Sequence, residues 1–311
     1  MDDGLFLNSL KMILDESNQY SILMNESNYI QEGTIIDFLK KIDLKKIFSF
    51  IFNKFIEIIS TIWGKFKAMY NAFTKKTTLI KRYRKKLDNI SWDIEYPDER
   101  SIYTNLDNST NINLYNMSLN EEYNTLYALM YKISSINKVE EIYTTILSFK
   151  NSMASTNEFL DQKRGKALGQ YSISKENFAK ESYLYFKPES KIAPGIIRPD
   201  EVRNMSRDYF DSKKIENSIT NDKKSLDGSA KTTLSKINSF TLKNTFPENM
   251  SSNIFNTFTE IIKSYCDRIQ GLCNIYVQLF AIKLDIFKQY KEEQTRILSK
   301  IILISMKEGK M

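Results

Sequence analysis

The chain has 311 residues and a formal net charge of +7, from 45 Lys and Arg against 38 Asp and Glu, and it contains no His. Without imidazole, Ser-His-Asp, Cys-His and zinc-hydrolase chemistries fall away, because His supplies the commonest general base and metal ligand near neutral pH. A hydrophobic content of 41% with 18 Tyr and 19 Phe excludes global disorder, while 9 Gly and 5 Pro leave too few turn signals for a many-stranded sheet or a dinucleotide-binding fold.

Residues 1–33 read as an arm with a short helical stretch over residues 5–14, followed by the phrases Glu16-Ser17-Asn18 and Glu26-Ser27-Asn28. Met1-Asp2-Asp3-Gly4 lacks the basic region of a signal peptide, so export by that route is not expected. Across residues 1–39 one Lys (Lys11) stands against seven acids, a net of −6. Thr34 is placed to cap the next helix, with Asp37 three positions on.

Residues 40–86 then reverse the charge, with fourteen Lys and Arg against Asp43 and Glu57, a net of +12. Within them Leu44, Ile47, Phe48, Ile51, Phe55, Ile58, Ile62, Phe66, Met69 and Phe73 recur at steps of three and four, the period of a helix face. Phe50, Phe52, Ile56, Ile59 and Trp63 widen that stripe, so the helix is expected to have neighbours on more than one side. Residues 47–66 are long enough to span a bilayer, but Lys54, Glu57 and Lys65 are costly at its centre, which leaves an interfacial helix as the membrane option. The cations Lys54, Lys65, Lys67, Lys75, Lys76, Lys81, Arg82, Arg84, Lys85 and Lys86 form the candidate contact surface.

Ser91-Trp92-Asp93-Ile94-Glu95-Tyr96-Pro97 alternates apolar and polar residues and is the best strand candidate. A polar loop is expected over residues 105–113, then a helix over 118–166 with Leu126, Leu129, Met130, Ile133, Val139, Tyr143, Ile146, Leu147 and Met153 on its apolar face. Residues 167–250 hold four of the five Pro and read as an irregular lateral region. Its expected parts are a short strand at 183–186, a helix opened by Pro199 and running to about residue 216, and a polar, exposed stretch over 222–235. Ser251 and Ser252 cap a closing helix over 253–307, with Gly271 as its expected weak point. Cys266 and Cys273 stand two turns apart on it, about 10 Å by helical rise, too far to bond to each other.

These elements give a mainly α fold: an elongated helical bundle with long N-terminal, central and C-terminal helices and a few short strands. The expected division is an arm over 1–33, a core over 34–166 with the basic amphipathic helix, strand region and central helix, the lateral region over 167–250, and a helix over 251–311 packing on the 34–166 core.

No motif points to a cofactor, a metal or a small-molecule substrate. Gly165-Lys166-Ala167-Leu168-Gly169 lacks the spacing and preceding strand of a phosphate cradle. The pairs Glu121-Glu122, Glu140-Glu141 and Glu292-Glu293 read as solvated helix surface, and a catalytic dyad would need two carboxylates to converge in a cleft. The basic segment supports three readings: the solvated side of a packed helix, a membrane-surface helix, or a phosphate-neutralising contact with nucleic acid through the run from Lys81 to Lys86.

In layout the chain resembles a class of virion structural proteins of large tailed bacteriophages of AT-rich hosts. The resemblance is carried by Leu14-Asp15-Glu16-Ser17-Asn18 in the arm, the Phe-, Ile- and Lys-rich residues 48–66, and Lys81-Arg82-Tyr83-Arg84-Lys85-Lys86 ahead of Ser91-Trp92-Asp93-Ile94-Glu95-Tyr96. Ile275-Tyr276-Val277 and Lys283-Leu284-Asp285 in the closing helix extend it. It implies a non-enzymatic particle component, made in the host cytoplasm and carried in the virion. Its implied partners are other virion proteins or copies of itself. A membrane-active helical protein and a non-specific nucleic-acid binder are the alternatives, with an anionic membrane or nucleic acid as partner.

Overall fold

The computed structural model describes residues 49, 52–64, 67–68, 78–102, 110–136, 138–169, 190–211, 213–239 and 252–311. In chain order these form α1 (residues 52–64), α2 (Thr78–Asp88), β1 (Ile94–Tyr96), β2 (Arg100–Ile102), α3 (Thr110–Ser134), α4 (Val139–Ser152), α5 (Thr156–Gly169), β3 (Ser190–Ile192), β4 (Gly195–Ile197), α6 (Pro199–Phe210), α7 (Lys213–Ser239) and α8 (Ser252–Lys307). The fold is mainly α, as the helical periodicities indicate. The arm, the Thr34 cap and the strand expected at 183–186 lie outside the described residues.

The described residues divide into two compact units. One draws on residues up to Ile59, Asn111–Ala167 and Ser225–Val277; the other draws on Ser60–Thr110, Leu168–Lys224 and Gln278–Met311. In the first, α3 buries Leu119, Leu126, Leu129 and Ile133, a stepping of seven, three and four that keeps one face inward. On α4, Ile142 and Ile146 are buried while Tyr143, expected on that face, stands outside it. The first-unit part of α1 buries Phe52, Phe55, Ile58 and Ile59, so this portion of the long apolar stripe is core.

The helix expected over 118–166 is three helices. The first break follows Ser134, where Ser135 turns its hydroxyl back onto the Lys132 carbonyl at 2.8 Å and competes with the helical ladder. The second falls at residues 153–155. There Ser152 donates to the Phe149 carbonyl, and Ser155 accepts from the Glu158 N–H at 3.1 Å, capping α5 in a Ser-x-x-Glu pattern. Thr110 already begins α3, so residues 110–113 are helical and not loop.

The second unit has a core of Ile80 and Leu87 from α2, Ile94 and Tyr96 from β1, Ile197 from β4, Val202 and Tyr209 from α6, and Ile297, Leu298, Ile301 and Ile302 from α8. Two antiparallel pairs run beside it, β1 with β4 and β2 with β3. Their registers differ by one residue, because 97–99 on one side face 193–194 on the other. Pro97 and Pro194 fall in that interruption, where neither needs to donate to a ladder.

Two expectations for the C-terminal half change. Residues 222–235 are not an exposed stretch but lie within α7, where Ile219, Asp222, Leu226, Ala230 and Thr233 are buried at helical spacing. Small and polar residues in that stripe hid it from an apolar-periodicity reading. The helix opened by Pro199 stops at Phe210, and α7 starts at Lys213.

Gly271 does not interrupt α8. A Cβ there would lie 2.5 Å from Leu160 Cδ1, so the glycine is the gap that lets α5 come close. The helix runs to Lys307 and is closed by Gly309 (φ +70°), where the Gly309 N–H donates to the Met306 carbonyl at 3.1 Å and the Lys310 N–H to the Ser305 carbonyl at 2.9 Å. That pair of bonds around a left-handed glycine satisfies carbonyls the helix would leave open.

Candidate contact surface

Helix α2 has an apolar side and a cationic side. Ile80 and Leu87 are fully buried, and Leu79 and Tyr83 pack partly against the same cluster. Lys81, Arg82, Lys85 and Lys86 are exposed. Their i, i+1, i+4, i+5 spacing groups them on one side of the helix. Lys85 and Lys86 also occupy the last turn, where the helix dipole favours positive charge.

The fifth cation of this run has a different role. The Arg84 guanidinium lies 4.4 Å from the Phe210 ring centre and 3.7 Å from Asp88, tying α2 to the end of α6. Asp88 is further held by the Ser206 hydroxyl at 2.7 Å, and Arg203 donates to the Ile90 carbonyl at 2.8 Å just beyond the helix. The cationic side therefore stands on a helix anchored along its opposite side and at its C-terminal end.

Two further expected contact residues are described, and neither is on α2. Lys54 is half-buried on α1 and pairs with Glu57 at 3.3 Å, and Lys67 extends over the Trp63 ring at 5.1 Å. Lys65, Lys75 and Lys76 lie outside the described residues. Of the seven expected cations among the described residues, five lie on α2, all of them exposed, and Lys81, Arg82, Lys85 and Lys86 share one side of it.

The sequence did not reveal the charges inside the fold. In the first unit the Glu122 and Arg268 side chains are each 6% exposed and lie 3.4 Å apart. Arg268 also donates to the Ala154 carbonyl and covers the Phe159 ring at 4.7 Å. Burial raises the Glu122 pKa, and Arg268 opposes that without cancelling it. Glu122 is thus no solvated surface carboxylate, although Glu121, Glu140 and Glu141 are exposed as expected.

In the second unit buried Lys283 pairs with buried Asp222, with Ser218 at 3.4 Å. Lys291, also buried, donates to the Tyr209 carbonyl at 3.0 Å and the Asp208 carbonyl at 3.3 Å, at the C-terminal end of α6 where the helix dipole is negative. Glu293 pulls away from the surface reading too. Burial works to raise its pKa, but hydrogen bonds from Arg296 and from the Ser101 N–H at 2.7 Å outweigh it and hold the carboxyl below its usual range. For Lys283 the sequence held a signal, a cation directly after the largely apolar run from Ile275 to Ile282; Arg268, among Lys263, Asp267 and Gln270, carried none.

Cys266 and Cys273 are free and buried, and burial pushes the Cys266 thiol up to about 12, which keeps it from acting as a thiolate. Among the described residues no group of three or more His, Cys, Asp and Glu is placed to hold a metal ion. No helix among them is long and apolar enough to cross a membrane.

No protein-family model, no curated protein and no solved structure matches the chain. Function therefore has to be read from the arrangement of the described residues: charges inside that neutralise one another or cap helix ends, and the cationic side of α2, which faces outward.

Proposed function

We propose that this chain is a non-enzymatic structural or assembly component of a tailed-bacteriophage particle, made in the host cytoplasm and built into the virion. It contacts anionic surfaces of its neighbours through the cationic side of α2. The observation that carries the reading is the grouping of Lys81, Arg82, Lys85 and Lys86 on solvent while Ile80 and Leu87 fix the helix beneath them. A charge array on a rigid element sets register and encounter between partners more than it does chemistry. The resemblance in layout to phage virion proteins supplies the setting.

The membrane reading needs the apolar stripe of α1 to face lipid, whereas Phe52, Phe55, Ile58, Ile59 and Ile62 are buried in the fold. A nucleic-acid contact is the second reading, favoured by the same cationic side. It would show as binding that weakens with a log-log salt slope of about −0.9 per phosphate contacted.

The decisive experiment is mass spectrometry of gradient-purified particles of the phage that encodes the chain. The proposal expects its peptides at a constant ratio to the major capsid protein across the particle peak. Their absence, at a depth that detects minor components, overturns it.

A further inference from the structure

We infer that the cationic side of α2 receives the acidic N-terminal segment, residues 1–39, of a second copy of this chain, so that copies associate head to tail. This deepens the assembly reading above by naming the partner of that same surface.

The first argument is charge. Residues 1–39 carry a net of −6 with Asp15-Glu16, Glu26 and Glu32 spread along them, and the receiving side presents four cations within about 8 Å of helix axis. Asp88, the acid on α2, is engaged by Ser206 and Arg84.

The second argument is repulsion. Lys81 with Lys85 and Arg82 with Lys86 are like-charged pairs at i, i+4, an arrangement that weakens a helix. An acidic segment laid over them reverses the sign of that interaction. The third is geometry of assembly: each copy carries one anionic and one cationic element, so the contact uses different surfaces on the two copies. It therefore propagates into a chain of copies or closes into a ring.

The test is sedimentation velocity of the full chain, nuclease-treated, at about 50 mM and about 500 mM salt, between which the screening length falls about threefold. Association at low salt is expected, weakened at least about tenfold at high salt, a change of about 1.4 kcal/mol.

Two variants then exchange the charges: Lys81→Glu/Arg82→Glu/Lys85→Glu/Lys86→Glu on the receiving side, and Asp15→Lys/Glu16→Lys/Glu26→Lys/Glu32→Lys on the segment. Each alone is expected to stay monomeric, and the mixture to form a complex that high salt dissolves. Far-ultraviolet circular dichroism checks that both variants fold. The milder pair Lys85→Gln/Lys86→Gln, which adds no repulsion, is expected to weaken association without abolishing it.

A monomeric parent chain at low salt overturns the inference. So does association that nuclease abolishes, or folded variants that fail to complex when mixed. Salt-sensitive, charge-exchangeable association by a chain absent from particles would instead leave the head-to-tail contact standing and remove the virion reading alone.

Discussion

Helices α2 and α8 place their charges in opposite ways. α2 turns Lys81, Arg82, Lys85 and Lys86 to solvent and holds the fold through Ile80 and Leu87. α8 is buried on nearly every side through its middle and keeps Arg268, Lys283 and Lys291 inside, each against a carboxylate or helix-end carbonyls. The lesson is that the same residue types stand in two settings: the inward cations fix how helices meet, and the outward ones face solvent, where the proposed contact would use them. Removing an inward charge should cost stability, and removing the outward ones should cost association.

The largest effects fall on the buried side of the comparison. Phe55 is 2% exposed on α1, so Phe55→Asp places a charge in the core and is expected to cost at least about 3 kcal/mol in urea unfolding. A midpoint equal to that of the parent would mean the face assigned to α1 is wrong. Arg268→Ala leaves Glu122 buried without its cation and is expected to cost about 3–5 kcal/mol, whereas Glu122→Leu with Arg268→Met is expected to be close to neutral. An equal cost for the single and double variants would show that the pair is not what the site depends on.

At Gly271 the effect is smaller and separable. Gly271→Ala sets a methyl against Leu160 and is expected to cost about 1–2 kcal/mol despite the better helix propensity of Ala. In a Leu160→Ala background the same change is expected to stabilise by about 1 kcal/mol, because only the propensity remains. Additive behaviour of the two substitutions would contradict the close approach of α5 and α8.

Two carboxylates sharpen the comparison through pH. The Glu293 pKa is depressed in the fold, so its contribution is present above the unfolded value near 4.5 and is lost as pH falls through the lower folded value. Glu293→Gln is therefore expected to cost about 1 kcal/mol at neutral pH and progressively less in acid. Burial raises the Glu122 pKa, so the folded state holds that proton longer and stability declines as pH climbs from about 4.5 through the folded value. Glu122→Gln removes that decline. Matching pH profiles for the two variants would refute the opposite environments assigned to them.

How much of this was legible depends on the kind of residue. The expected closing helix over 253–307 matches α8 within a residue, because its apolar pattern keeps the helical period with no Pro to stop it. The apolar positions Phe55, Ile58 and Ile62 of the first stripe are buried for the same reason of period. The breaks at Ser135 and Ser155 were missed, since a single hydroxyl turning onto the backbone leaves the apolar count unchanged. The α7 stripe was missed because Asp222 and Thr233 read as surface until Asp222 is seen against Lys283.

For the contact surface, the sequence supplied ten cations, and of the seven that are described the fold sets five on α2. Arg84 has the composition of a contact residue and the position of a clamp, which only its distance to Phe210 reveals. Glu122 likewise looks like its exposed neighbour Glu121 until Arg268 is brought to it from a distant helix. Periodicity carries burial, but pairing between helices far apart in the chain is written in no local pattern.

The most direct test of the account replaces the four outward cations together, Lys81→Gln/Arg82→Gln/Lys85→Gln/Lys86→Gln, and measures both urea unfolding and incorporation into purified particles beside the parent chain. The account predicts an unfolding free energy within about 1 kcal/mol of the parent, since exposed charges contribute little to the fold, together with loss of the variant from the particles. A variant that unfolds several kcal/mol earlier, or one that enters particles as fully as the parent, would contradict the division of labour between the two helices.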